Sequence, residues 1–513
     1  DQLRADYISC NGHPTLHTPH LDALAARGVN FTRAYCQSPV CGPSRMSFYT
    51  GRYMFCHGAT WNNVPLSVGA WTMGDYLRPL GLRTVLVGKT HMRADDEGMA
   101  RLQLDAVSPL GVLVSQCGFE PYERDDGLHP DQSADPNLAY NRYLRARGYI
   151  SDNPWHDFAN SVEGPNGEVL SGWYMRHAHL PARVAEEDSE TAYMTNRAME
   201  YIREAGTRPW CLHLSYIKPH WPYIAPSPYR DMYGPQHVVP ARRHAAEREQ
   251  SHPVLAAFMQ HEESRSFQRD EVRHHVIPAY MALVKHIDDH LGRLMQFLEA
   301  QGRLEDTMIV LTSDHGDHLG DHWLGEKELF YEASVRVPML VYDPDPGANA
   351  TRGTTDARLV EALDLLPTFL DTLGADLHSH RLEGRSLLPL LRPGDSGVSW
   401  REAAFSELDY AFRPARLALG LAPHEARAFM VRTADWKYIH YEHFRPQLFD
   451  LKADPDEFHD LGDSPGHAGV RAILHERLFT WLRTRRIRTT LADLTVDERT
   501  AGTQRRGVLI GVW

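Results

Sequence analysis

Long apolar runs and cysteines are both scarce in this chain of 513 residues. No apolar stretch approaches the roughly 20 residues that a membrane-spanning helix needs, which argues against a role inside a membrane. The six cysteines, scattered from residue 10 to residue 211, are too few for a disulfide framework. We interpret them as reduced, and this favours a cytoplasmic over a periplasmic location. No signal peptide is visible, although the printed sequence begins with Asp rather than Met.

Basic residues are outnumbered, since 54 Lys and Arg stand against 67 Asp and Glu, a net charge of −13. This balance argues against a nucleic-acid-binding surface but allows a local cationic pocket. An apolar content of 42% and a charged content of 24% are typical of a folded globular protein. The length is sufficient for a large core and suggests two or three domains.

The most informative stretch lies at residues 38–45 and reads Ser-Pro-Val-Cys-Gly-Pro-Ser-Arg. Cys-x-Pro-x-Arg is the signal by which a formylglycine-generating enzyme oxidises a cysteine, here Cys41, to formylglycine. A buried cysteine in a turn before a helix is the alternative interpretation of the short pattern. The residues that follow, Met-Ser-Phe-Tyr-Thr-Gly-Arg, and four further motifs in order favour the modification. In these features the chain resembles the type I sulfatases and the related phosphonate monoester hydrolases of the alkaline phosphatase superfamily.

The resemblance implies metal-dependent hydrolysis of a sulfate ester, a small-molecule substrate, with formylglycine as the nucleophile. A hydrated aldehyde carries two hydroxyls: one attacks sulfur, and the other then loses its proton so that the aldehyde returns and the anion leaves. This divides one difficult step into two easier ones. The nucleophile needs a cation that lowers its pKa, and the developing charge needs fixed positive groups. We therefore expect carboxylates for a cation and Lys, His and Arg around the anion.

A metal site is predicted at the end of the buried strand 308–313, where Asp314 and His315 follow. The resemblance makes both residues ligands of one divalent metal, Ca²⁺ or Mn²⁺, together with Asp1 and the modified Cys41. The Asp-His pair resembles the phosphonate hydrolases, and imidazole admits manganese. In the resembling families an apolar strand precedes the position of Asp1, whereas the printed sequence starts there.

Lys89 and His91 follow a second short buried strand, residues 84–88. Alternation along an extended segment would direct both side chains to the same side. In the resembling sulfatases a Gly-Lys-x-His segment places both residues beside the formylglycine and the sulfate. The phosphonate hydrolases carry Tyr and Thr in this region, so the pair favours sulfate esters. Two solvated loop residues are the alternative.

Further anion-handling residues are predicted in three places. Arg45 lies one turn into a helix predicted for residues 41–50, from which it can reach back to residue 41. Asn62 matches an active-site Asn of the phosphonate hydrolases, with an ordinary turn residue as the alternative. His220, in Lys-Pro-His-Trp-Pro-Tyr, is the candidate acid for the leaving alkoxide or a donor to a sulfate oxygen. The resemblance makes Lys327 a ligand of a sulfate oxygen.

The predicted fold is an α/β sandwich with a mostly parallel central sheet between helices, as in alkaline phosphatase, and a smaller C-terminal α+β domain. We expect a catalytic domain at 1–390, an antiparallel sheet with a helix at 400–490, and a tail at 491–513 that contacts a second copy in a homo-oligomer. Residues 93–190 are the expected site of alcohol recognition.

Two other functions stay open at this point. Phosphonate monoesters and phosphodiesters carry one negative charge on a tetrahedral centre, as sulfate monoesters do, so a cationic pocket separates them poorly. The same machinery therefore suits a phosphonate monoester or phosphodiester hydrolase. A non-enzymatic alternative is an inactive family member that only binds anions.

Overall fold

The computed structural model describes residues 1–127, 138–394, 397, 399–500 and 502–508. Within these ranges no helix combines the length and the apolar character that crossing a membrane requires. The predicted tail at 491–513 includes residues 501 and 509–513, which lie outside the described residues. Its contact with a second copy stays a prediction.

A three-stranded parallel sheet carries one side of the candidate site. Its central strand, Arg83–Gly88, pairs with Glu120–Arg124 on one side and with Trp210–Ser215 on the other. The run Val85, Leu86 and Val87 is completely buried, as expected for a β-branched and apolar strand covered on both faces. Both Lys89 and the segment 216–220 therefore leave the sheet at the same edge, where the carboxyl ends of parallel strands meet.

A four-stranded mixed sheet carries the other side. The strand order is Thr354–Asp356, Val29–Phe31, Met339–Tyr342 and Ile309–Thr312. The first pair is parallel and the other two pairs are antiparallel. Ile309–Thr312 ends just before Asp314, as the sequence predicts. The mixed α/β architecture with parallel strands, helices and a C-terminal unit confirms the predicted fold class.

The helix that starts at Cys41 spans Cys41–Thr50 and is buried along its whole length. It ends at Gly51, whose φ of 66° is left-handed and whose amide bonds to the carbonyl of Ser47. Glycine adopts this conformation without the cost that a side chain adds. The prediction of a helix at residues 41–50 is confirmed.

The longest helix, Asp270–Ala300, is amphipathic and packs one face into the core. The apolar residues at 280, 283, 284, 287, 291 and 294 indicate a helix in the sequence, and the structure extends that helix to Asp270, with Pro278 inside it. The stretch 270–275 is mostly charged residues and histidines, so its sequence shows little of the apolar pattern of a buried helix. Pro278 also suggests a helix end, because proline is unfavourable inside a helix.

The C-terminal unit is a four-stranded antiparallel sheet of Ala404–Asp409, Arg427–Arg432, Trp436–Tyr441 and Gln447–Asp450. The helix Ala468–Arg483 packs on it and places Trp481 flat on Phe405, with ring centroids 4.2 Å apart. The predicted closing helix is thus present. The domain boundaries at 390 and 400 stay predictions.

Shorter elements complete the described chain. Three small strands pair in the order Val360–Glu361, Ala34–Tyr35 and Arg336–Val337, and Ser161–Glu163 forms a hairpin with Val169–Ser171. The remaining α-helices are Pro19–Arg27, Met54–His57, Met73–Leu77, Asp96–Arg101, Pro109–Val114, Ala139–Ala146, Glu190–Ala205, Ala246–Glu249, Pro253–Phe258, Glu262–Phe267, Glu332–Val335, Leu365–Thr372, Leu388–Leu391, Pro414–Ala418, Asp493–Arg499 and Gly502–Arg505.

Candidate active site

Four side chains with metal-ligating atoms converge at the candidate site. The ligating atoms of Asp1, Cys41, Asp314 and His315 all lie within 4.8 Å of one another. The Cys41 sulfur lies 3.0 Å from His315 Nε2 and 3.7 Å from Asp1 Oδ1. The Asp1 and Asp314 side chains are at most 1% exposed. The structure thus brings together all four residues that the sequence predicts as ligands.

The donor chemistry of this cluster fits a divalent cation. His315 Nδ1 lies 2.8 Å from the carbonyl of Gly316. Because a carbonyl only accepts, Nδ1 carries the proton and the Nε2 lone pair points into the cluster. Two carboxylates suit calcium or manganese, and the imidazole nitrogen admits manganese. The ligand roles themselves stay predictions.

Arg45 is buried and binds the carboxylates of the cluster. Its Nε donates to Asp314 Oδ2 at 2.9 Å, and its Nη2 lies 3.4 Å from Asp1 Oδ2. Burial alone would raise the pKa of the Asp314 carboxyl. His315 and Arg45 nevertheless hold this pKa well below its usual value. The sequence predicts a reach back to residue 41. The structure shows an arginine that contacts both carboxylates, and its reach to residue 41 stays a prediction.

Lys89 and His91 both lie at the cluster. The Lys89 ammonium is 2.6 Å from Asp1 Oδ2, and its side chain is fully buried, which lowers its pKa. Burial and Lys89 lower the pKa of His91, while neighbouring Cys41 acts in the opposite direction. Both predicted residues therefore face the same site.

Lys89 and His91 face the same site through a turn of the backbone, not through the predicted extended segment. His91 has a φ of 56°, in the left-handed region. The Asp126 carboxylate accepts the amides of Thr90 and His91, both at 3.0 Å, and so stabilises the turn. The alternation argument is wrong here, because a carboxylate 35 residues later in the chain decides the conformation.

His220 and Lys327 form a pair on the other wall. Lys327 Nζ lies 3.3 Å from His220 Nε2, and His220 Nδ1 lies 2.7 Å from the carbonyl of Trp221. Nδ1 therefore donates and Nε2 accepts, so Lys327 carries the proton between them. Burial, Lys327 and Lys89 hold the pKa of His220 well below its usual value. The acid role of His220 stays a prediction. In this arrangement His220 Nε2 carries no proton, so it would have to receive one from Lys327 before it could act as an acid.

The Sulfatase family profile matches residues 1–375 of this sequence. The chain belongs to the sulfatase family. A second profile, N-sulphoglucosamine sulphohydrolase, C-terminal, matches residues 320–484. Members of the family use a divalent metal and a formylglycine made from cysteine, and Cys41 lies in the cluster described above.

Individual relatives cover nearly all of this sulfatase. The multifunctional alkaline phosphatase superfamily protein PehA of Trinickia caryophylli is 30% identical over 504 residues, which cover 94% of this chain and 93% of that protein. The choline-sulfatase of Rhizobium meliloti is 28% identical over 91% of this chain and 81% of its own length. The solved phosphonate monoester hydrolase SpPMH of Silicibacter pomeroyi superposes with a TM-score of 0.84, at 28% identity, over 96% of this chain and 95% of that chain.

Asn62 is bound to the start of the helix Cys41–Thr50 of this sulfatase. Its Oδ1 accepts the Gly42 amide at 2.8 Å. A Cβ at Gly42 would approach the same oxygen at 3.0 Å, so the helix start and the Asn62 turn are tightly packed. This contact fits the turn alternative, and the predicted substrate-binding role stays a prediction.

Two site residues are missed by the sequence reasoning. Gln2 is completely buried with a left-handed φ of 64°, and its amide donates to Asp314 Oδ1 at 3.0 Å. Asp126 supports Lys89 and His91 as described. The position of Gln2 directly after Asp1, a predicted metal ligand, is a signal for the first. Nothing local indicates the second.

One part of the 93–190 region reaches the site of this sulfatase. The ring of Trp173 packs edge-on against Trp221, with centroids 5.4 Å apart, and Trp221 adjoins His220. Trp173 also lines a surface cavity of about 450 Å³ together with Glu263. Alcohol recognition by this region stays a prediction.

Proposed function

We propose that this chain hydrolyses a sulfate ester, with formylglycine made from Cys41 as the nucleophile. One divalent metal, calcium or manganese, would be held by Asp1, Asp314, His315 and residue 41. The observation that carries the proposal is the convergence of these four ligating atoms within 4.8 Å. Sulfate-ester hydrolases among the relatives support it.

Charged residues of the site have separate roles in this proposal. Arg45 holds both carboxylates in place and helps to keep the pKa of Asp314 low. A bound divalent cation would lower the pKa of a hydroxyl on the hydrated aldehyde at position 41. Lys89 and Lys327 place two ammonium groups against a tetrahedral anion in a buried site, where fixed charges act more strongly than in water.

Lys327 and His220 are suited to the leaving group. The Nζ to Nε2 contact at 3.3 Å provides one shared proton at that wall. Passing it to the departing alkoxide neutralises the charge that forms as the sulfur–oxygen bond breaks. His220, held by the carbonyl of Trp221, orients the ammonium group.

The test compares the turnover of an aryl sulfate with that of the matching aryl phosphonate monoester by one preparation of the protein. The protein is coexpressed with a formylglycine-generating enzyme, and mass spectrometry verifies the aldehyde at residue 41. We expect turnover of an aryl sulfate that a chelator abolishes and that added calcium or manganese restores. Cys41→Ala is the matched control and should be inactive. Turnover of neither substrate by verified aldehyde and metal-loaded protein would contradict the proposal and support an anion-binding member.

Hydrolysis of phosphonate monoesters is the second candidate. The superposition on SpPMH with a TM-score of 0.84 and the Asp314–His315 pair favour it. We expect the aryl sulfate to be preferred, because Lys89 and His91 stand where the phosphonate hydrolases have Tyr and Thr. The double variant Lys89→Tyr/His91→Thr should shift the ratio of kcat/KM values toward the phosphonate by at least about tenfold. A wild-type preference for the phosphonate would make the second candidate the better one.

A further inference from the structure

The segment that follows the strand Ala404–Asp409 extends from the C-terminal sheet to the candidate active site. It carries Phe412, a large apolar side chain that is 62% exposed. Single exposed apolar residues are common on protein surfaces. This one is different because its ring stacks on Trp61 and the next residue, Arg413, pairs with Glu328 beside Lys327.

On one side, Phe412 contacts the turn that packs on the catalytic helix. Its ring stacks on Trp61, with centroids 5.9 Å apart and an angle of 16° between the planes. Trp61 is followed by Asn62, which accepts the amide of Gly42, the neighbour of Cys41. Phe412 is thus one ring away from the start of the helix that carries the nucleophile.

On the other side, the next residue contacts the loop that carries Lys327. The Nε of Arg413 lies 3.3 Å from Glu328 Oε1, and its Nη2 pairs with Glu263. Glu328 adjoins Lys327. Phe412 is therefore followed directly by a residue that is held beside Lys327 by two carboxylates.

One face of the Phe412 ring is covered by Trp61, and the ring as a whole remains largely exposed. A second aromatic ring would find a fixed, apolar and flat surface on the open face. Aromatic rings prefer offset-stacked contacts of this type, and such pairs add affinity beyond simple burial. A short aliphatic chain gains little from the same surface, because it has no ring to stack.

We propose that the open face of Phe412 binds the alcohol portion of the ester and selects a planar, aromatic alcohol, with Trp61 as a positioning residue that holds the Phe412 ring. This inference rests on the proposed function, since it names the class of alcohol for the same site. It differs from recognition by residues 93–190, which would place the alcohol beside Trp173.

The experiment compares an aryl sulfate with a short alkyl sulfate in the wild type and in variants of Phe412. Phe412→Ala should raise KM for the aryl sulfate about 2- to 12-fold, with kcat and the KM for the alkyl sulfate unchanged. Phe412→Tyr should restore the wild-type KM, and Trp61→Ala should change KM in the same direction as Phe412→Ala. Leu417→Ala, a substitution at a side chain 68% exposed on the same segment, is the matched control and should behave as wild type.

A second measurement does not depend on turnover. Binding of phenyl sulfate and of methyl sulfate to Cys41→Ala protein is measured by ligand-observed NMR, with and without the additional Phe412→Ala substitution. We expect the second substitution to weaken phenyl sulfate binding alone, by the same 2- to 12-fold factor, an estimate of about 0.5–1.5 kcal/mol converted to affinity.

Three outcomes would overturn the inference. Equal effects of Phe412→Ala on both esters would give the ring a purely structural role. No effect on either ester would remove it from the site. A loss of aryl selectivity in Trp173→Ala but not in Phe412→Ala would place the alcohol in the neighbouring cavity. A wild type that hydrolyses neither ester refutes the proposed function instead, and the binding experiment then still decides the role of Phe412.

Discussion

His57 is bound in a way that only its neutral form satisfies, and this makes the stability of the protein depend on pH. Ser47 Oγ donates to the carbonyl of Pro43 at 2.9 Å, so its contact at 3.0 Å with His57 Nε2 makes that nitrogen the donor. His57 Nδ1 in turn accepts the amide of Ala59 at 3.2 Å. A second proton would have to enter at Nδ1, against that amide. Burial, with Arg52 as a smaller cause, lowers the pKa of His57 to about 3.

The sign and size of the effect follow from this shift. Between pH 6.5 and pH 3 the unfolded chain binds a proton at this position and the folded chain does not. The contribution of neutral His57 to the free energy of unfolding is therefore fully present above pH 6.5 and is lost as the pH falls toward 3. At pH 5 the free energy of unfolding should be about 2 kcal/mol lower than at pH 7.5 through this residue alone.

The assay is urea unfolding at pH 7.5 and at pH 5 of the wild type, His57→Gln and His57→Asn. Gln keeps a donor toward Ser47, and Asn keeps an acceptor for the amide of Ala59, so the variants differ in stability at pH 7.5. Neither side chain titrates. Both variants should therefore lose about 2 kcal/mol less than the wild type between the two pH values. Equal losses in all three proteins would refute the reasoning.

Two further substitutions test the cluster and the core. Asp314→Asn should lower metal affinity by more than the roughly 10- to 100-fold typical of an outer partner, whereas Asp317→Asn, which affects bonds to Gln2 and Tyr223, should keep the metal on elemental analysis. Arg401→Met removes the partner of two buried carboxylates and should cost about 3–5 kcal/mol in urea unfolding, while the half-exposed Arg358→Met should cost at most about 1 kcal/mol. Retained metal in the first variant, or equal costs in the second pair, would contradict these expectations.

Strand ends were the part of the site that the sequence could predict. A buried apolar run followed by Asp314 and His315, and another followed by Lys89, are local patterns with a fixed meaning in an α/β sheet. The start of the helix Cys41–Thr50 was equally local, because Pro43 suits a first turn and Gly51 suits a helix end. These residues meet in the structure because the patterns specify both the element and its end.

Contacts between distant segments were not accessible in the same way. The left-handed turn at His91 depends on Asp126, and the place of Phe412 depends on Trp61, some 350 residues earlier in the chain. Neither residue pair carries a periodic or spaced pattern. Such features follow from tertiary packing, which a single sequence expresses only through the complete fold.

The complete burial of the helix Cys41–Thr50 constrains the order of events in the life of this protein. Cys41 is 0% exposed, and every residue of the helix is buried. Another enzyme can reach that thiol only while the surrounding chain is open, either during synthesis or before folding buries it. If Cys41 is oxidised, the oxidation competes in time with folding itself. A molecule that folds first would then keep its thiol until it unfolds again.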